Sequence, residues 1–159
     1  MRAQLRVELR TGSGQLVVSR EAKNAVLRGG ADILARLFSG QGTGITHMAI
    51  GTSDSPEGDT FGTTSLANAV EVPIPGDAFQ IDPPDPIKRV VRVRVRATVP
   101  ATQVMGEAVR EAALVARKDD ANATLYNRVV FAPIQKTGDH ELTLFWEVGF
   151  PYGDLLWLL

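Results

Sequence analysis

The chain has 159 residues, 44% of them hydrophobic and 22% charged, which suits one soluble domain burying about 70% of the surface its unfolded form exposes and excludes disordered and fibrous classes. Seventeen basic against eighteen acidic residues leave a net charge of -1, without the global positive field that non-specific nucleic-acid binding draws on. No cysteine is present, so disulfides, thiolate metal sites and cysteine nucleophiles are excluded, and a reducing cytoplasm is compatible.

The opening MRAQLRVELR carries a charge every few residues where a secretory signal needs an unbroken apolar run, so no such leader is expected. Residues 3–9 alternate polar and apolar, residues 11–14 (TGSG) supply turn chemistry, and residues 15–19 resume a β-prone run, which predicts an opening hairpin. From about Lys23 to Phe38, apolar Val26, Leu27, Ile33, Leu34, Leu37 and Phe38 recur at helical spacing, and Ser39-Gly40 closes the run. One helix is expected there. The Gly29-Gly30 pair costs roughly 1 kcal/mol per residue inside a helix, so either the helix begins after it or the backbone packs closely at that point. Residues 45–51 (ITHMAIG) read as a short strand and the following TSDSPEGDTFGTT as an irregular loop. Residues 65–72 are ambiguous. Next, Pro73, Pro75, Pro83, Pro84 and Pro86 forbid a central strand or helix interior and predict a surface excursion or an arm.

Residues 87–99 carry the clearest periodicity, with Val91, Val93, Val95, Ala97 and Val99 on one side and Arg92, Arg94 and Arg96 on the other. This is the pattern of a half-buried strand. Residues 107–117 have helical composition but lie between strand-like segments without a clean cap. Leu125 to Phe131 and Glu141 to Phe150 are expected to form an antiparallel pair turned by PIQKTGD, with Leu142, Leu144, Trp146, Val148 and Phe150 sharing one face. The sum predicts a mainly β (α+β) fold: an antiparallel β-sandwich or barrel-like sheet with one packed helix near 23–38 and long loops. A single domain over residues 1–150 and an apolar tail over 151–159 are expected.

Several phrases, taken in order, resemble a family of phage tail, tail-fibre and baseplate-associated structural proteins, also found in tail-like contractile injection particles. They are Asn24-Ala25-Val26 opening a helix that ends in Leu34-Ala35-Arg36-Leu37, then residues 47–53 (HMAIGTS) before a Pro/Asp loop, then residues 64–68 (TSLAN). Later come residues 110–114 (REAAL), 127–137 (NRVVFAPIQKT) and 142–148 (LTLFWEV), so the likeness spans roughly residues 20 to 150. It implies that residues 107–117 form a strand. The family has no catalytic constellation to carry over, and the Pro83-Pro84 region and the segment after Phe150 have no counterpart in it.

The residues themselves offer little chemistry. His47 lies in an apolar strand and His140 in a turn, without metal or protease spacing, and P-loop and nucleophile-elbow patterns are absent. Gly42-Thr43-Gly44 precedes a strand where a dinucleotide site needs a helix. Asp54, Glu57 and Asp59 could gather oxygens around a hard cation, against the reading of a solvated turn. Arg92, Arg94 and Arg96, with Lys88, could touch phosphates, against the reading that Glu147, Glu141 or Glu111 pair with them across strands. The tail places Tyr152, Leu155, Leu156, Trp157, Leu158 and Leu159 as candidate interface residues; it is too short for a membrane span and apolar enough to need covering.

The expected function is therefore non-enzymatic: a structural virion component of a phage tail, baseplate or fibre-attachment region, assembled in the bacterial host cytoplasm and acting by self-assembly. Expected partners are copies of itself and neighbouring phage subunits, with no cofactor, metal, small-molecule substrate, nucleic acid or membrane insertion. The alternatives are a capsid decoration or cement protein, and a receptor-binding module that recognises a host glycan or protein through its loops.

Overall fold

The computed structural model of the chain describes residues 2–24, 26–55 and 61–154. In chain order the elements are β1 (Arg2–Thr11), β2 (Leu16–Asn24), α1 (Arg28–Phe38), β3 (His47–Gly51), β4 (Val70–Pro73), β5 (Phe79–Ile81), β6 (Val90–Val99), β7 (Val109–Arg117), β8 (Ala123–Leu125), β9 (Val129–Ile134) and β10 (His140–Pro151). The strands form two antiparallel sheets. One runs β2-β1-β10-β6-β5, and the other β4-β3-β7-β8 with β9 also paired to β7.

Period-two alternation builds the first sheet. Register places Leu5, Trp146 and Val95 in one cross-strand row, Val7, Leu144 and Ala97 in the next, and Leu9, Leu142 and Val99 in a third. All nine side chains are buried. They form one core with Met48 and Ile50 of β3, Ala112 and Leu114 of β7, and Val129, Phe131 and Ile134 of β9. The mainly β sandwich expected from the sequence is thus present, with β1 and β2 as its opening hairpin.

β7 explains why residues 107–117 look helical. Its Ala112, Leu114 and Ala116 face the main core, while Ala113 and Val115 face a second cluster with Leu27, Ala49, Leu66 and Leu125. A strand covered on both faces loses the alternation that marks a half-buried one.

Three expectations are corrected. The helix begins at Arg28, because residues up to Asn24 still pair with β1 as the end of β2. The glycine pair lies in its first turn, and close packing is the reason: a Cβ on Gly30 would run into the Tyr126 carbonyl oxygen, and one on Gly29 would sit 2.6 Å from that of Leu125. Secondly, Leu125 to Phe131 does not pair with Glu141 to Phe150. Asn127 interrupts the first segment, its Oδ1 accepting the Leu114 amide at 2.8 Å, so that β8 and β9 both join β7. Meanwhile β10 enters the other sheet between β1 and β6, whose apolar faces match its own. The PIQKTGD segment consequently crosses between layers. Finally, the 87–99 strand starts at Val90, and the proline-rich stretch before it is not wholly irregular: proline-free Phe79–Ile81 forms an edge strand on β6, as the exclusion of proline from ladders requires.

Candidate functional site

Among the described residues the fold buries Thr52, Thr63, Glu111, Asn127 and Lys136, and two of these, Glu111 and Lys136, hold loop backbone groups. Glu111 of β7 and Arg128 meet at 2.7 Å with side chains only 1% and 8% exposed. Glu111 Oε1 also accepts the Ala67 amide at 2.8 Å and the Ser53 amide at 3.3 Å, and Arg128 donates to the carbonyls of Ser53 and Ser55 at 3.3 and 3.0 Å. Both ends of the 52–67 loop are therefore fixed on one buried ion pair. Gly51 admits it, since a Cβ there would collide with the Glu111 side chain.

Lys136 plays a similar part in the 100–106 segment. Its side chain is fully buried, and its Nζ donates to the carbonyls of Ala101, Gln103 and Thr137. Burial pushes its pKa down from the ordinary lysine value, with the nearby Glu141 carboxylate acting in the opposite direction. Between these two segments opens a cleft of about 470 Å³ lined by Thr52, Asn68, Val70, Val104, Met105, Gly106 and Glu107. Asn68 holds a left-handed φ of 48° and donates through Nδ2 to Thr52 Oγ1 at 3.0 Å, which fixes that wall.

At the opposite end of β6 stands a turn made by Asp85, Pro86, Ile87, Lys88 and Arg89. Asp85 Oδ1 accepts the amides of Ile87 and Lys88 at 3.0 and 2.9 Å, and its Oδ2 receives Arg92 at 3.2 Å. The Lys88 amide is the first cause of a carboxyl held below the usual aspartate range, helped by the Ile87 amide and the charges of Arg92 and Lys88. Arg89 adopts a φ of 52°, a conformation that disfavours a side chain, and Ile87 at the apex is 91% exposed.

Tyr152 belongs to this same corner: its amide donates to the Arg89 carbonyl at 3.0 Å and its hydroxyl to the Asp85 carbonyl at 3.1 Å. The other candidate interface residues, Leu155, Leu156, Trp157, Leu158 and Leu159, lie outside the described residues, as do Glu57 and Asp59. Asp54 stands 3.8 Å from Arg110. No group of three or more His, Asp or Glu able to hold a metal occurs among the described residues.

The arginine row is paired differently from the expectation. Arg94 bonds Asp82 at 2.7 Å, and Arg92 pairs with Asp85 and, at 3.5 Å, with Glu147. Glu147 is thus a partner as expected, whereas Glu111 is committed to Arg128. The two aspartates come from the proline-rich stretch, which folds back over β6. Arg96 lies opposite Phe145, whose ring carries the Arg6 guanidinium 4.4 Å from its centroid. The histidines bond their neighbours: His47 Nδ1 lies 2.8 Å from Thr46 Oγ1, and His140 Nδ1 lies 2.8 Å from Thr137 Oγ1.

No helix among the described residues is long and apolar enough to cross a membrane. No family model matches the chain, and no curated protein or solved structure matches it either.

Proposed function

We propose that the chain is a structural subunit of a phage tail, baseplate or fibre-attachment region, or of a tail-like particle, and that it acts by docking to copies of itself and to neighbouring subunits. The observation that carries the reading is where its buried charge is used. Glu111, Arg128 and Lys136 hold loop backbones in place at the margins of a β-sandwich, and rigid presentation of surface elements is what subunit docking requires. The ordered phrases from Asn24 to Val148 add the likeness to tail-associated proteins. In this reading the protein resides in the virion after assembly in the host cytoplasm.

Residues 155–159 are proposed to anchor the subunit to its neighbours, because an apolar segment of this kind needs a cover. The chain passes Arg89 at Tyr152 and Gly153, after β10 has continued through Pro151 and Tyr152 has bonded back to the Asp85–Arg89 turn. A chain ending at Gly153 should keep the thermal transition of the full-length monomer yet fail to enter particles in a complementation assay. If it melts several degrees lower and still assembles, the tail belongs to its own core. Normal infectious particles from a host expressing no copy of the protein would sink the structural reading altogether.

The clamped 52–67 loop favours a second reading, a module that binds a host glycan or protein through that loop. A glycan array and pull-down with surface extracts test it, and loss of binding on Arg128→Met is the expected signature. Capsid decoration would use the same sheet and loops, and imaging particles with and without the protein separates the positions.

A further inference from the structure

We propose that the turn at Asp85–Arg89 of one copy seats in the cleft beside Glu107 of the next, a head-to-tail contact that rests on the assembly reading above. Ile87 stands 91% exposed at the apex of that turn. The backbone beneath it is held by Asp85 from one side and by the Tyr152 amide and hydroxyl from the other. Arg89 adopts its left-handed φ at a cost of order 1–3 kcal/mol that glycine would avoid. The turn is therefore a rigid, strained element with a bare aliphatic side chain and two cations, Lys88 and Arg89, next to it.

The cleft has the complementary character. Buried Met105, 6% exposed, half-buried Val70 and exposed Val104 supply its apolar lining, and Glu107, itself exposed, brings a carboxylate to the same lining. Neither Lys88 nor Glu107 is in an ion pair among the described residues. At about 470 Å³ the cleft falls within the size range of pockets that take small ligands, ample for an isoleucine and part of its turn.

The occupant comes from another molecule. The turn precedes Val90 and the cleft lies past Val99, so the ten residues of β6 separate them by roughly 30 Å. Placing the two complementary surfaces at opposite ends makes the contact heterologous, so that each copy offers one turn and one cleft and the contact can repeat.

Sedimentation velocity over a concentration series tests this with three variants and the wild type. The wild type should self-associate. Ile87→Asp should weaken association about 10- to 100-fold, the loss expected for one buried aliphatic side chain, with an unchanged thermal transition because the side chain is exposed. Lys88→Glu and Glu107→Lys should each weaken association alone, while an equimolar mixture of the two should restore it, since every turn then meets a cleft of opposite charge. A wild type that associates equally well after all three substitutions would overturn the turn-in-cleft contact and leave the assembly reading standing. A wild type that stays monomeric at low salt would also overturn the contact, whereas particle incorporation decides the wider reading independently.

Discussion

Arg128→Met isolates the buried ion pair that holds the 52–67 loop. The substitution keeps most of the side-chain length and removes the guanidinium, leaving Glu111 buried with its two backbone amides but without its countercharge. Removing one partner of such a pair costs about 3–5 kcal/mol, because the remaining charge stays out of water uncompensated. The carbonyls of Ser53 and Ser55 lose their donor as well. With a urea slope of about 2 kcal/mol per molar, the unfolding midpoint should fall by roughly 1.5–2.5 M. Glu111→Gln keeps an oxygen for the Ala67 amide, and the double variant should be destabilised by less than the sum of the two singles, the difference being the coupling between the charges. Limited proteolysis of Arg128→Met should cut within residues 52–67 faster than in the wild type. A loss under about 1 kcal/mol with an unchanged slope, and no change in proteolysis, would mean that water replaces the guanidinium and that the loop is not held from this point.

Three further outcomes follow from the geometry. Trp146→Ala should lose about 3–5 kcal/mol in the same urea measurement, because Trp146 is 2% exposed between Leu5 and Val95; a loss below about 1 kcal/mol would put the ring outside the core. Gly30→Ala should destabilise despite a helix-propensity gain of about 1 kcal/mol, since the new Cβ meets the Tyr126 carbonyl and lies 2.5 Å from Val26 Cγ1; a raised melting temperature would refute the close approach. The folded-state pKa of Asp85 is depressed, so its stabilising contribution is present above the ordinary aspartate value of about 3.9 and is lost as pH falls through the lower folded value. The Ile87 and Lys88 amide resonances should titrate with a midpoint below about 3.9 and should stop doing so in Asp85→Asn; a midpoint at or above that value would contradict the hydrogen bonds.

What the sequence discloses depends on whether a segment has one solvent face. β1, β6 and β10 each bury one side and wet the other, so their alternation can be read directly, and Trp146 lands on the face its parity assigns. β7 has no solvent face over most of its length, and its composition alone points toward a helix. Pairing is harder than strand identity. β9 and β10 are consecutive along the chain, as in a hairpin, yet they join different sheets because β10 completes the alternating rows of β1 and β6. Nothing local in PIQKTGD marks the crossing, although the Asn127 interruption warns that 125–131 is not one continuous strand.

The candidate site was less legible, for a related reason. Glu111, Arg128 and Lys136 look like ordinary surface charges in their own segments, and their burial is created by backbone groups brought from elsewhere. Ala67 lies 44 residues from Glu111, and Ala101 lies 35 residues from Lys136. The Asp85 turn did leave a local mark: an aspartate followed by proline and then a strand is suited to accepting the amides of the next residues.

Apolar replacements for a buried ion pair are often as stable as the pair or more so, hence retained pairs are better explained by what they position than by the energy they add. Here they fix the loops that border the cleft, and Asp85 fixes the turn at the far end of β6. Since β6 is hydrogen-bonded on both sides over part of its length, by β10 and β5, the spacing between turn and cleft is rigid. Copies joined turn-in-cleft would therefore repeat at a distance set by that strand, on the order of 30 Å, and a repeat far from this value in images of assembled protein would be incompatible with the contact.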